Sequence, residues 1–490
     1  MSARPRPLLA ALVLGAVALV AVIAYLAASR AGGFIGFPLD DAWIHQTYAR
    51  NLAQLGQFAF MPGQPSAGST SPAWTLLLAL GYLLHLDFRL WTYLLGGALL
   101  AANGWLGHRL VLRLWPTARG AAWAAGLFVV VEWHLVWAAA SGMETLLFST
   151  LVLLVFTLDP ARYSAWLGLC VGLSLLVRPD GLLLLPFALA LVVLAPTRSA
   201  KHAAWVVAGF ALVCLPYLAF NQWLAGSLWP NTFYAKQAEY AAQRAAPLWQ
   251  RLAQVGVLPF VGAQALLLPG LLWLAAQAWR RRQWDWVVPL AWVAAMVGAY
   301  ALRLPVTYQH GRYLIPVIPV LVVLGTVGLA RMLQWTSDRM WVRVASRAWL
   351  AATALLAVVF ALLGAQAYTR DVQIIETEMV AAAHWVRANT PPTARVAAHD
   401  IGALGYYSER ALLDLAGLVS PDVIPFIRDE AQLADWLDSA HADYLVTFPG
   451  WYPELVQKAK GGLQYQTNAP YSLAAGGERM AIYAWRAILP

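Results

Sequence analysis

Charge is scarce in this chain. Asp, Glu, Lys and Arg make up 12% of its 490 residues, while 61% are hydrophobic. Soluble domains run near ~25% charged and ~45–50% apolar. The deficit excludes an ordinary water-soluble globule, and the apolar excess excludes a disordered chain. Cysteine is nearly missing too, with Cys170 and Cys214 as the only two. Both fall within apolar runs, where a free thiol behaves as a small hydrophobe. There is therefore no disulfide framework and no zinc site to read. Repeats at the roughly 20–50-residue periods of solenoids are not evident, nor is low-complexity sequence beyond Ala/Leu-rich stretches.

What is present is a succession of apolar runs long enough to cross a bilayer. The first, 8–28, follows Arg4 and Arg6. It exceeds the ~7–15 residues of a signal-peptide core and reads as an uncleaved helix with its N-terminus in the cytoplasm. A polar segment at 29–71 leads to 72–85, which suits a re-entrant or interfacial helix. Runs at 90–112, 121–140, 145–158, 163–177, 182–195, 202–224, 252–279, 286–302, 313–332 and 348–367 then alternate across the membrane. Arginines at 4–6, 109–119, 280–282 and 331–347 all fall inside under this assignment, so the net charge of +9 is an orientation signal. It does not point to nucleic acid. The fold class expected is a polytopic α-helical membrane protein of about 11 spans (range 11–13). Residues 1–368 form the membrane module, with a first outside loop at 29–89, and 369–490 form an extracytoplasmic α/β domain. Within that tail, 375–389 reads as an amphipathic helix, 395–398 and 444–448 as strands, and 431–440 as a helix.

The outside loops hold most of the remaining polar residues. In the first, Asp40 and Asp41 open a helix on which Asp41, His45 and Tyr48 share one face. A carboxylate there is a candidate general base towards a hydroxyl. A second acidic residue, Glu144, follows Ser141 and Gly142, and Arg178 and Asp180 flank a Pro-containing turn. Lys236 sits in an aromatic loop, while His310 and Arg312 precede another span. Lys236, Arg312 and His310 are candidate phosphate contacts. Each feature has an ordinary structural alternative, whether a helix cap, an ion pair in a turn, or a snorkelling anchor. Together they put acids and cations on one side of the membrane. A transporter or flippase for a lipid-linked sugar is the competing expectation. It calls for charges near the midplane and internal symmetry, and Glu132 is the main ionisable residue inside a run.

The motifs Asp40-Asp41, Tyr48-Ala49-Arg50-Asn51-Leu52, Pro62-Gly63 and Ser69-Thr70-Ser71-Pro72-Ala73-Trp74, taken in order, resemble those of GT-C superfamily integral-membrane glycosyltransferases. Ser141-Gly142-Met143-Glu144-Thr145, Arg178-Pro179-Asp180-Gly181 and Pro230-Asn231-Thr232-Phe233-Tyr234-Ala235-Lys236 add to the likeness. The superfamily includes protein O-mannosyltransferases, lipid A aminoarabinose transferases and family-39 enzymes. Within it, the chain is most similar to the branch of the mycobacterial terminal arabinofuranosyltransferase, whose tails resemble 399–406 and 414–418 here.

The resemblance implies a hexosyl- or pentosyltransferase that takes its sugar from a polyprenyl phosphate. The sugar passes, with inversion, to a glycan, lipid or protein acceptor on the outer face of the cytoplasmic membrane. It implies Asp40 or Asp41 as base, with spacing to Ala49 and Arg50 slightly favouring Asp41, and Glu144 as a second acid. Lys236, Arg312 and Arg178 are implied at the donor phosphate. Several members hold a divalent cation; no residue set here demands one, and neither metal ligands nor a cofactor is assigned. Met61 and Gln64 depart from the polar or acidic residues expected around Pro62-Gly63, which removes any basis for inheriting a particular sugar.

Overall fold

In a computed structural model, residues 7–195, 199–335 and 339–487 are described. Arg4 and Arg6, part of the orientation pattern, lie outside them. Each of the eleven expected apolar runs is helical. Among the described residues, five helices are long and apolar enough to cross a membrane, and two bent pairs bring the number up to 7 if each pair is one crossing. Large apolar side chains such as Leu212, Leu215, Leu355 and Val358 face outward from these helices. A lipid belt accounts for that surface far better than water does. The chain is an integral membrane protein.

Several runs differ from plain spans. The run at 121–140 breaks at Glu132 into Arg119–Val131 and Trp133–Ala140, bent by 49°. The Glu132 carboxylate accepts the Leu135 N–H at 3.0 Å and so starts the second helix. The run at 252–279 bends by 100° between Leu248–Phe260 and Ala263–Arg280. Pro259 and Pro269 each remove a backbone donor, and Gly262, at φ 157°, supplies a backbone conformation that other residues rarely reach. The last expected span and the amphipathic helix at 375–389 are one continuous helix, Met340–Asn389, passing through a π turn at Glu376–Val380. It runs straight past the expected boundary at 368/369.

Small residues let helices cross closely inside the membrane. On Ser164–Val177, a Cβ at Gly168 would lie 2.1 Å from the Val206 carbonyl oxygen. Facing it on Ala200–Ala225, a Cβ at Gly209 would lie 2.3 Å from the Ala165 oxygen.

The tail carries a five-stranded sheet of β3 (Arg395–Ala398), β4 (Ala411–Asp414), β5 (Tyr444–Thr447), β6 (Gly462–Gln466) and β7 (Ala481–Ala484), in the order β4-β3-β5-β7-β6. A short hairpin, β1 (Ala59–Met61) and β2 (Gln64–Pro65), precedes it in the chain. Strand β3 pairs parallel with β4 and β5, while β7 is antiparallel to β5 and β6. Glu378, buried in the π turn, ties the long helix to this sheet by accepting the Met480 N–H at 2.8 Å. Between tail and membrane helices lies Asp40–Leu55, packed on Pro72–Leu83 on one side and on Gly402–Tyr407 on the other.

Candidate active site

Asp40–Leu55 is polar in composition yet largely buried, because it is covered from both sides. Consecutive residues on a helix point about 100° apart, so Asp40 and Asp41 meet different surroundings. Asp40 turns to the tail, where its carboxylate accepts the N–H of Gly402 at 2.6 Å and of Ala403 at 2.8 Å. It thereby caps Gly402–Tyr407. At the other end of that short helix, Arg50 donates to the Tyr406 carbonyl at 2.8 Å and lies 4.5 Å over the Tyr406 ring. A Cβ on Gly402 would fall 2.0 Å from the Asp40 carbonyl oxygen. Burial, then the nearby carboxylates of Asp400 and Asp41, push Asp40 up to about 8, against the two N–H bonds.

Asp41 turns the other way, into a cavity of about 540 Å³. Its Oδ2 accepts a hydrogen bond from Arg312 and lies 3.6 Å from Lys236 Nζ. Burial alone would raise its pKa. Arg312 and Lys236 outweigh burial and hold Asp41 well below the usual carboxylate range. The Tyr313 hydroxyl sits between the two cations, accepting from Lys236 at 3.0 Å and from Arg312 at 3.1 Å. Arg312 Nε and Nη1 are buried without a hydrogen-bond partner among the described residues.

Across the same cavity, Glu144 lies 3.4 Å from His45 Nε2 and 3.8 Å from Arg178 Nη1. Burial raises Glu144 less than His45 and Arg178 lower it, leaving it at about 2. Arg178 is also gripped by Asp180, at 3.0 and 3.1 Å, and by the Tyr300 hydroxyl at 2.7 Å. Two hydrogen bonds tie neighbouring segments together beside these groups: Thr232 donates to the Gly68 carbonyl at 2.6 Å, and Ser71 to the Val177 carbonyl at 2.5 Å.

Of the residues singled out from sequence, the fold brings Asp41, Glu144, His45, Arg178, Lys236 and Arg312 to one cavity. Three others go elsewhere. Asp40 is a cap. The Tyr48 hydroxyl lies 2.7 Å from Ser66 Oγ and accepts the Gly68 N–H at 3.0 Å, pegging the loop at 66–68 from behind. His310 lies 2.8 Å from Asp371 instead of facing the cavity. Tyr300, Tyr313 and Arg303 line the cavity without having been singled out. The tyrosines look like interfacial belt residues in sequence, and Arg303 looks like a span-end anchor. Among the described residues no three His, Cys, Asp or Glu side chains are grouped to hold a metal ion. Asp41 and Glu144 instead face cations, so the residues present do not fit a divalent-cation site.

No curated protein matches the chain by sequence. A family model described as "Domain of unknown function (DUF8728)" matches residues 359–483. Solved structures are more informative. ArnT from Cupriavidus metallidurans bound to undecaprenyl phosphate is similar with a TM-score of 0.63 at 16% identity, over 98% of this chain and 99% of that one. The apo state of the same protein gives 0.59 at 15%, over 96% and 97%. An oligosaccharyltransferase from Archaeoglobus fulgidus gives 0.58 at 13%, over 88% of this chain and 69% of that one. These are GT-C glycosyltransferases, and the chain has the GT-C membrane fold with a sheet-containing C-terminal domain.

Proposed function

We propose that this chain is an inverting glycosyltransferase that moves a hexosyl or pentosyl group from a polyprenyl phosphate to a hydroxyl of a glycan, lipid or protein. The observation that carries the reading is Asp41 sharing one cavity with Arg312 and Lys236. The GT-C fold supports it, as does the undecaprenyl phosphate bound by the similar ArnT.

On this reading Asp41 accepts the proton of the acceptor hydroxyl, whose oxygen attacks the anomeric carbon. The bond from that carbon to the phosphate oxygen breaks, and the leaving polyprenyl phosphate gains negative charge. Arg312 and Lys236 stabilise that charge as it develops. A carboxylate held so far below its usual range is a weak base. Donor phosphate entering between Arg312 and Lys236 draws their charge away from Asp41 and raises its proton affinity, so the base becomes effective when donor is bound. Glu144, held by His45 and Arg178, is left to orient sugar hydroxyls. Residues 1–368 form the catalytic module and 369–490 an extracytoplasmic domain, with the N-terminus inside and the cavity opening at the outer face.

The test is proteoliposomes charged with radiolabelled polyprenyl-phosphate sugar and candidate acceptors. A new glycosidic bond is expected, with Lys236→Ala reducing kcat by about 10²-fold or more, the scale of losing one oxyanion-stabilising donor. Label that crosses the bilayer without forming a glycosidic bond would contradict the reading.

A further inference from the structure

His310 is a candidate phosphate contact in sequence, yet its ring is turned out of the cavity. It stands edge-on to Trp133 and Trp137, with ring centres 5.4 and 5.3 Å away. Its Nε2 lies 2.8 Å from Asp371 Oδ2, and the same oxygen accepts from Trp137 Nε1 at 2.9 Å. Asp371 belongs to Met340–Ile375, the membrane helix that continues into the tail.

The backbone here is unusual. Gln309, His310 and Gly311 have φ of 52°, 57° and 66°, three successive left-handed residues. Two of them carry side chains that normally avoid this region. Such a turn persists only where its surroundings hold it. On one side a Cβ at Gly311 would lie 2.9 Å from Leu258, at the sharp bend after Leu248–Val257. On the other side the holding groups are Asp371 and the two tryptophans. The next residue is Arg312, bonded to Asp41 and Tyr313.

We infer that His310 is a positioning residue: its contact with Asp371 holds the left-handed turn that aims Arg312 at Asp41. The last membrane helix thus reaches the donor-phosphate site through one hydrogen bond, without lining the cavity. This rests on the reading above that Arg312 serves the donor phosphate.

His310→Gly tests it, because glycine keeps the left-handed backbone and removes only the ring. A small displacement of a group that must meet the leaving phosphate is costly. The variant is expected to lose about tenfold or more in kcat/KM for the polyprenyl-phosphate donor, with KM for the acceptor unchanged. Asp371→Ala, which removes the acceptor, should match it, and the double variant should be no worse than either, as for two partners in one interaction. His310→Gln, which can still donate to Asp371, should recover most of the loss. Thermal unfolding in detergent is followed in parallel, and a loss that appears equally in acceptor KM and in unfolding temperature would mean a merely structural role. Arg312→Ala separates the two levels of the argument. If it abolishes transfer while His310→Gly and Asp371→Ala transfer normally, this inference fails and the proposed function stands. If Arg312→Ala also transfers normally, the proposed function fails.

Discussion

Asp40 and Asp41 are chemically identical neighbours whose surroundings assign them opposite tasks. Asp41 faces Arg312 and Lys236, while Asp40 faces two backbone N–H groups and a second carboxylate, Asp400. The folded pKa of Asp40 lies above the value of about 3.9 that an unfolded aspartate has. A raised acid favours the folded state at low pH, and that contribution is lost as pH rises towards about 8. The charge forced on buried Asp40 should therefore cost the protein stability as pH rises from about 4 to about 8. Asp40→Asn, which cannot ionise, should show a smaller fall in unfolding temperature over that range than the unaltered protein; an equal fall would contradict this. At this scale residue types were legible in the sequence, but directions were not. Asp40, Tyr48 and His310 look as suited to a site as Asp41, Lys236 and Arg312. What turns them away are partners far along the chain, such as Gly402 and Asp371, or a loop pressed on from behind, as at Gly68.

At the scale of elements, the helix Gly402–Tyr407 is too short to be stable alone. It is held at one end by Asp40 and at the other by Arg50, two residues of a single helix in the first outside loop. Gly402 permits that approach, so Gly402→Ala should destabilise the protein by about 1–3 kcal/mol, the usual cost of overpacking. Unfolding in detergent measures it, and an unchanged midpoint would argue against tight docking. Helix existence was legible along the apolar runs, because run length and hydropathy set it there, but not at Asn231–Glu239, which reads as a loop, nor at Gly402–Tyr407. Breaks were less so. Glu132 is visible as an isolated acid, but its role as the cap of a second helix depends on the 49° bend at that point. The long helix Met340–Asn389 hid its continuity because its composition changes from apolar to amphipathic midway, while the backbone stays helical through the π turn at Glu376–Val380.

For the molecule as a whole, scarcity of charge proved the most useful figure in the sequence. A chain with 12% charged residues has few groups to spend on a site. Six of the candidates converge on one cavity, though their positions run from Asp41 to Arg312. Loop order across a membrane made that convergence legible, since acids and cations assigned to one face can meet without knowing how the helices pack. The C-terminal domain was legible as an α/β unit, but not as a cover whose Leu418 lines the same cavity. Sugar transfer from a polyprenyl-phosphate donor, measured side by side for Asp41→Asn and Asp40→Asn, tests the account most directly. Loss of the base should cost Asp41→Asn about 10²–10⁴-fold in kcat, while Asp40→Asn keeps most of its activity at pH 7. Full activity in Asp41→Asn, or the larger loss in Asp40→Asn, would contradict it.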